Sequence, residues 1–90
     1  FGIKSCYPNP FNPIVSIDYT TDIDSNIKLS IYNILGQTIN TIDYGYKLKG
    51  NYTAFWNGTN QEGILMPSGT YFVEISNIHS KMVKSVTLLK

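Results

Sequence analysis

The stretch Ile27-Lys28-Leu29-Ser30-Ile31-Tyr32-Asn33 alternates apolar and polar side chains without a break. A period of two puts Ile27, Leu29 and Ile31 on one face of an extended chain, which makes this segment a strand buried on that side. Next comes Leu35-Gly36-Gln37, where glycine accepts a positive φ without a Cβ clash, so Thr38 to Tyr44 returns as the hairpin partner. In that return strand Ile39 and Ile42 lie three residues apart, which requires a bulge or an early strand end if both are to be buried. On the N-terminal side, Val15, Ile17 and Tyr19 share one face of a strand, separated from Ile27 by the polar turn Thr20 to Asn26. Downstream, the expected inward residues are Tyr52, Ala54 and Trp56, then Tyr71, Val73 and Ile75, and finally Met82, Val86 and Leu88. No window keeps the i, i+3, i+4, i+7 apolar spacing of an amphipathic helix, so the chain reads as all-β.

Ahead of these strands lies Tyr7-Pro8-Asn9-Pro10-Phe11-Asn12-Pro13. Each proline fixes its own φ and removes a backbone donor, and each residue before a proline is pushed toward extended geometry. Residues 1–13 therefore read as a linker and Pro-rich lead-in, with the domain spanning 14–90. A length of 90 residues with 42% hydrophobic and 13% aromatic content suits one small domain with a single core. The net charge of +1, with 14% charged residues and no arginine, lacks the basic footprint that nucleic-acid phosphates demand. No apolar run approaches the length of a membrane span, and Phe1-Gly2-Ile3-Lys4-Ser5 lacks the layout of a secretory signal. A chain without an initiator methionine reads as part of something longer. Cys6 is the sole cysteine, so packing rather than a disulfide must hold the fold, and with no histidine near it in sequence it is expected to be chemically incidental.

About seven short strands with regularly spaced turn signals argue for an antiparallel β-sandwich of immunoglobulin-like size. Strand count and alternation alone would also allow a small barrel.

Five motifs occur in order: Tyr7-Pro8-Asn9-Pro10-Phe11-Asn12-Pro13, Ile31-Tyr32-Asn33-Ile34-Leu35-Gly36-Gln37, Trp56-Asn57-Gly58, Ser68-Gly69-Thr70-Tyr71-Phe72 and Leu88-Leu89-Lys90. Together they resemble a type IX secretion C-terminal sorting domain, type A, over nearly the whole chain. The sequence is also similar to the immunoglobulin-like domain of the flagellar hook-capping protein, which shares the turn after the tryptophan and the Ser-Gly-x-Tyr-Phe strand start. The first resemblance implies an immunoglobulin-like sandwich that is not an enzyme. Its role would be to guide a covalently linked upstream passenger through the periplasm and outer membrane to the cell surface or medium. The implied partners are the secretion machinery and a sortase-like protease that removes the tail. The residues that the resemblance implicates are Pro8, Asn9 and Pro10 at the passenger boundary, Gly36 and Gly69 at turns, and Lys81, Lys84, Val86, Leu88, Leu89 and Lys90 in the last strand.

The alternative from the residues themselves is a permanent accessory or spacer module of an extracellular hydrolase or adhesin. In that version Tyr32, Phe55 and Phe72, which alternate outward from the core face, form a glycan platform. Strand propensity and outer-face packing explain the same aromatics. Asp22-Ile23-Asp24-Ser25-Asn26 begins like a calcium loop, but Ile27 stands where the turn glycine belongs and Asn33 where a bidentate glutamate would complete the sphere. His79 sits in a turn without a second ligand at metal spacing, and no serine, histidine and acid fall in a catalytic order. No catalytic residue, metal or cofactor is expected.

Overall fold

The computed structural model describes residues 1–90. It contains seven strands: β1 Gly2–Tyr7, β2 Val15–Thr21, β3 Ser25–Tyr32, β4 Thr38–Lys47, β5 Gly50–Trp56, β6 Gly69–Ser76 and β7 Lys81–Leu88. They form two antiparallel sheets, ordered β1-β2-β5 and β4-β3-β6-β7, packed as an immunoglobulin-like sandwich. Alternate residues of each central strand turn inward, as the period of two requires. Val15, Ile17 and Tyr19 of β2, Ile27, Leu29 and Ile31 of β3, and Tyr71, Val73 and Ile75 of β6 are all buried. Trp56 anchors this core, its ring 5.2 Å from Tyr71 edge-on and 5.4 Å from Phe11 at a tilt.

The irregular spacing of Ile39 and Ile42 is resolved by two bulges. Leu29 and Ser30 pair with Asp43 and Thr41, and Ile31 and Tyr32 pair with Asn40 and Thr38, so each isoleucine is the extra residue of a bulge. Both are partly buried and pack against the core. An extra residue rotates the chain locally, which lets apolar side chains three apart share a face. The hairpin turn is held by Asn33, whose Oδ1 accepts hydrogen bonds from the amides of Leu35 at 2.9 Å and Gln37 at 3.0 Å. Gly36 sits in this turn at a φ of +81°, where a Cβ would strain the backbone.

Residues 1–13 are not a linker. Gly2–Tyr7 pairs with β2, with a register shift between Ile3 and Ser5. Ile3 and Phe11 belong to the hydrophobic core. The prolines do not prevent pairing because Phe11 lies between Pro10 and Asn12 and keeps both of its own backbone groups. Its amide donates to the Thr87 carbonyl at 2.9 Å, and its carbonyl accepts from the Leu89 amide at 3.0 Å, which makes a short parallel bridge to β7. The domain therefore includes the lead-in segment, prolines and all.

Candidate functional site

The two ends of the chain meet along β7, and this junction is the most specific construction in the fold. β7 pairs with β6 from Gly69 opposite Leu88 to Ser76 opposite Lys81 without a bulge. Backbone groups of successive residues in an antiparallel strand alternate between the two sides. Ser85, Thr87 and Leu89 direct theirs away from β6, toward the proline segment. The Thr87 amide donates to Asn9 Oδ1 at 2.9 Å, Asn9 Nδ2 donates to the Ser85 carbonyl at 3.3 Å, and Phe11 takes Thr87 and Leu89 as described. Ser68 Oγ accepts from the Lys90 amide at 2.9 Å and braces the last residue from the β6 side.

β7 thus has two unlike halves. The half containing Val86 and Leu88 is buried under this clasp, whereas Lys81 to Ser85 is exposed. By the same parity the outward backbone groups of Val83 point away from β6, on the side where β1 runs close by without forming a ladder, which leaves this edge of β7 unpaired and of the kind that a further strand can join. Met82, expected on the inward face, is instead 42% exposed. It leans across the gap to β1, where its Sδ accepts the Ile3 amide at 3.2 Å.

Of the residues implicated by resemblance, the fold brings together Asn9 and Pro10 with the strand that ends in Val86, Leu88, Leu89 and Lys90. Pro8 is exposed at the start of the same clasp. Val86 and Leu88 are core residues, inaccessible to a partner that reads the folded domain. Lys81 and Lys84 are exposed, and Lys81 Nζ lies 3.9 Å from Glu74 Oε2. Lys84 lies close enough to Cys6 to pull that thiol's pKa down, but burial is the larger effect and, with Asp18, leaves it raised. A thiol held protonated in this way is a poor nucleophile.

Beside the open half of β7 is a cleft of about 410 Å³ lined by Tyr32, Asn33, Gly36, Phe72, Glu74 and Val83 among others. Tyr32 and Phe72 are direct cross-strand partners here. Phe55 lies in β5 of the other sheet, so the three aromatics do not form one platform. Alternation identifies which face of a strand a residue occupies but not which sheet the strand joins. Sequence reading also missed Asn9 as a side-chain clasp and Phe11 as a core residue. An asparagine flanked by prolines was the available signal, since its side chain can supply the donor and acceptor that the prolines lack.

Gly69, opposite Leu88, has a φ of +154° and starts β6 where the chain emerges from the long loop.

No curated protein sequence matches the chain. Among solved structures it is similar to FlgD from P. aeruginosa, with 23% identity and a TM-score of 0.65, covering 82% of this chain and 58% of that one. It is also similar to PorZ, a surface component of the type IX secretion system of Porphyromonas gingivalis, with 18% identity and a TM-score of 0.67, covering 99% of this chain and 12% of that one. At these identities the likeness is one of fold, and the chain spans less than two thirds of either protein. The model of the FlgD Ig-like domain matches residues 14–81. That match takes in six of the strands in whole or in part, and by it the chain belongs to the FlgD Ig-like domain family.

Proposed function

We propose that this domain is a non-enzymatic sorting module that directs an upstream passenger through type IX secretion to the cell surface or medium. The observation that carries this reading is the division of β7. A module that must stay folded while being recognised needs a strand both anchored in the core and open to a partner. Val86 and Leu88 supply the anchor, and the exposed run from Lys81 to Ser85 supplies the opening. A partner strand can add to such an edge by main-chain hydrogen bonds and take its specificity from the neighbouring side chains, here the lysines and the Tyr32–Phe72 cleft. The likeness in fold to PorZ, a surface component of the type IX secretion system, supports the same context. Lysines on an edge also deter unwanted pairing, and that simpler role is what the experiment must exclude.

The test places residues 1–90 behind a periplasm-directed reporter in a bacterium with type IX secretion and follows reporter location and mass. A Lys81→Glu/Lys84→Glu variant, checked for folding by circular dichroism, reverses the charge of the open half without touching the core. Delivery of the parent fusion with loss of the tail, and retention of the variant, is the expected result. Periplasmic retention of the parent at full mass would overturn the reading in favour of a permanent accessory module.

A further inference from the structure

The larger of the two clefts, about 530 Å³, lies on the opposite flank of the sandwich, where β4 and β5 approach beside the loop that follows Trp56. Its size is within the range of about 300–1,000 Å³ usual for small-molecule sites. None of its ten lining residues carries a charge. What it offers instead is four carboxamides, Asn40, Asn57, Asn60 and Gln61, beside the rings and chains of Phe55 and Ile14. Phe55 is 62% exposed and Ile14 48%, so both present apolar surface to a ligand.

Hydrogen bonds within the loop decide which amide atoms remain free. Asn60 Oδ1 already accepts from the amides of Glu62 and Ile64, each at 3.0 Å. Asn57 Oδ1 accepts from the Thr59 hydroxyl at 2.5 Å. Asn40 Nδ2 donates to the Thr59 carbonyl at 3.0 Å, a carbonyl that also accepts from Trp56 Nε1 at 2.8 Å. These bonds fix the amide orientations, leaving the NH2 groups of Asn57 and Asn60 as donors and Asn40 Oδ1 as an acceptor. Gln61, exposed at the rim, can do either.

From this we infer that the Phe55–Asn57–Asn60 cleft is a binding site for a neutral saccharide. A sugar hydroxyl donates and accepts at once, which suits neighbouring fixed donors and acceptors, and the C–H face of a pyranose packs on an exposed aromatic ring. An anion would find no cation here, and a purely apolar ligand would strip the amides of water without replacing their bonds. The other cleft differs in chemistry, since its lining includes the charged pair Glu74 and Lys81. The inference does not depend on the sorting role.

The experiment titrates the 15N-labelled chain with hexasaccharides of β-1,4-glucose, α-1,4-glucose, β-1,4-xylose and β-1,4-mannose, with oligogalacturonate as the charged comparison. The expected result is saturable shifts of the Asn57 and Asn60 side-chain NH2 signals with at least one neutral oligosaccharide. Phe55→Ala should weaken binding about tenfold. Gln61→Ala should weaken it less, and Phe72→Ala, on the other sheet, should leave it unchanged. Absence of saturable shifts with all four neutral sugars, preference for oligogalacturonate, or equal loss on Phe72→Ala would overturn the assignment.

Discussion

Phe11→Ala separates an integral clasp from a flexible lead-in more widely than any other substitution. Phe11 is 1% exposed, and its ring packs 5.4 Å from Trp56. Truncating a buried phenylalanine costs about 3–5 kcal/mol through lost transfer energy and the cavity left behind. Loosening of the Phe11–Leu88 bridge adds to this, while partial collapse onto Trp56 subtracts, so about 3–4 kcal/mol is expected. A domain of 90 residues has a total stability of about 5–14 kcal/mol, so the variant loses a large share of it. With a urea m-value near 1–1.5 kcal/mol/M, the midpoint should fall by about 2–4 M. Trp56 is the only tryptophan and touches Phe11, so its fluorescence reports the site directly, with far-UV circular dichroism as the global probe. Phe11→Leu keeps most of the volume and should lose less than about 1.5 kcal/mol, which keeps the series measurable if the alanine variant fails to fold. A loss below about 0.5 kcal/mol for Phe11→Ala, typical of a surface position, would refute the reasoning.

Three further outcomes are expected. Burial and then the 2.5 Å hydrogen bond to Asp43 raise the Tyr19 pKa well above the ordinary tyrosine value. A raised folded value means the protonated phenol is favoured by folding, so this contribution is complete below about pH 10 and lost as pH rises through the folded value. Stability should decline less steeply above pH 10 in Tyr19→Phe than in the parent, and equal slopes in pH-dependent denaturation would contradict the assignment. Asn33→Ala removes the acceptor for the Leu35 and Gln37 amides and should cost about 1–2 kcal/mol by urea titration with an unchanged m-value; a cost below 0.3 kcal/mol would mean that the turn holds itself. Gly36→Ala should cost about 1 kcal/mol in the same assay, because no neighbour obstructs a Cβ there and only the φ of +81° opposes it; a neutral result would contradict this.

The central strands were legible because each buries one full face. Val15-Ile17-Tyr19, Ile27-Leu29-Ile31 and Tyr71-Val73-Ile75 are uninterrupted alternations, and burial follows them residue by residue. The bulges at Ile39 and Ile42 could be anticipated because an apolar spacing of three has few solutions in a strand. β1 could not, since Gly2-Ile3-Lys4-Ser5-Cys6-Tyr7 offers Ile3 as its one fully buried large side chain, and the register shift after it breaks the period. The proline segment misled for a physical reason: prolines remove donors, but pairing here depends on the residues between them, Asn9 and Phe11. Its partner is some eighty residues away in sequence, and local pattern carries no information about so distant a contact. The same limit applies to Phe55, whose outward direction was legible while its separation from Tyr32 and Phe72 was set by sheet order.

Residue-resolved amide hydrogen exchange on the intact chain tests the two-halved terminal strand most directly. The amides of Thr87 and Leu89, bonded to Asn9 and Phe11, should exchange far more slowly than that of Val83, which faces the open edge. Asn9→Ala should accelerate Thr87 selectively. Equal exchange at Thr87, Leu89 and Val83 would contradict the clasp, and with it the division of β7 into an anchored half and an exposed one.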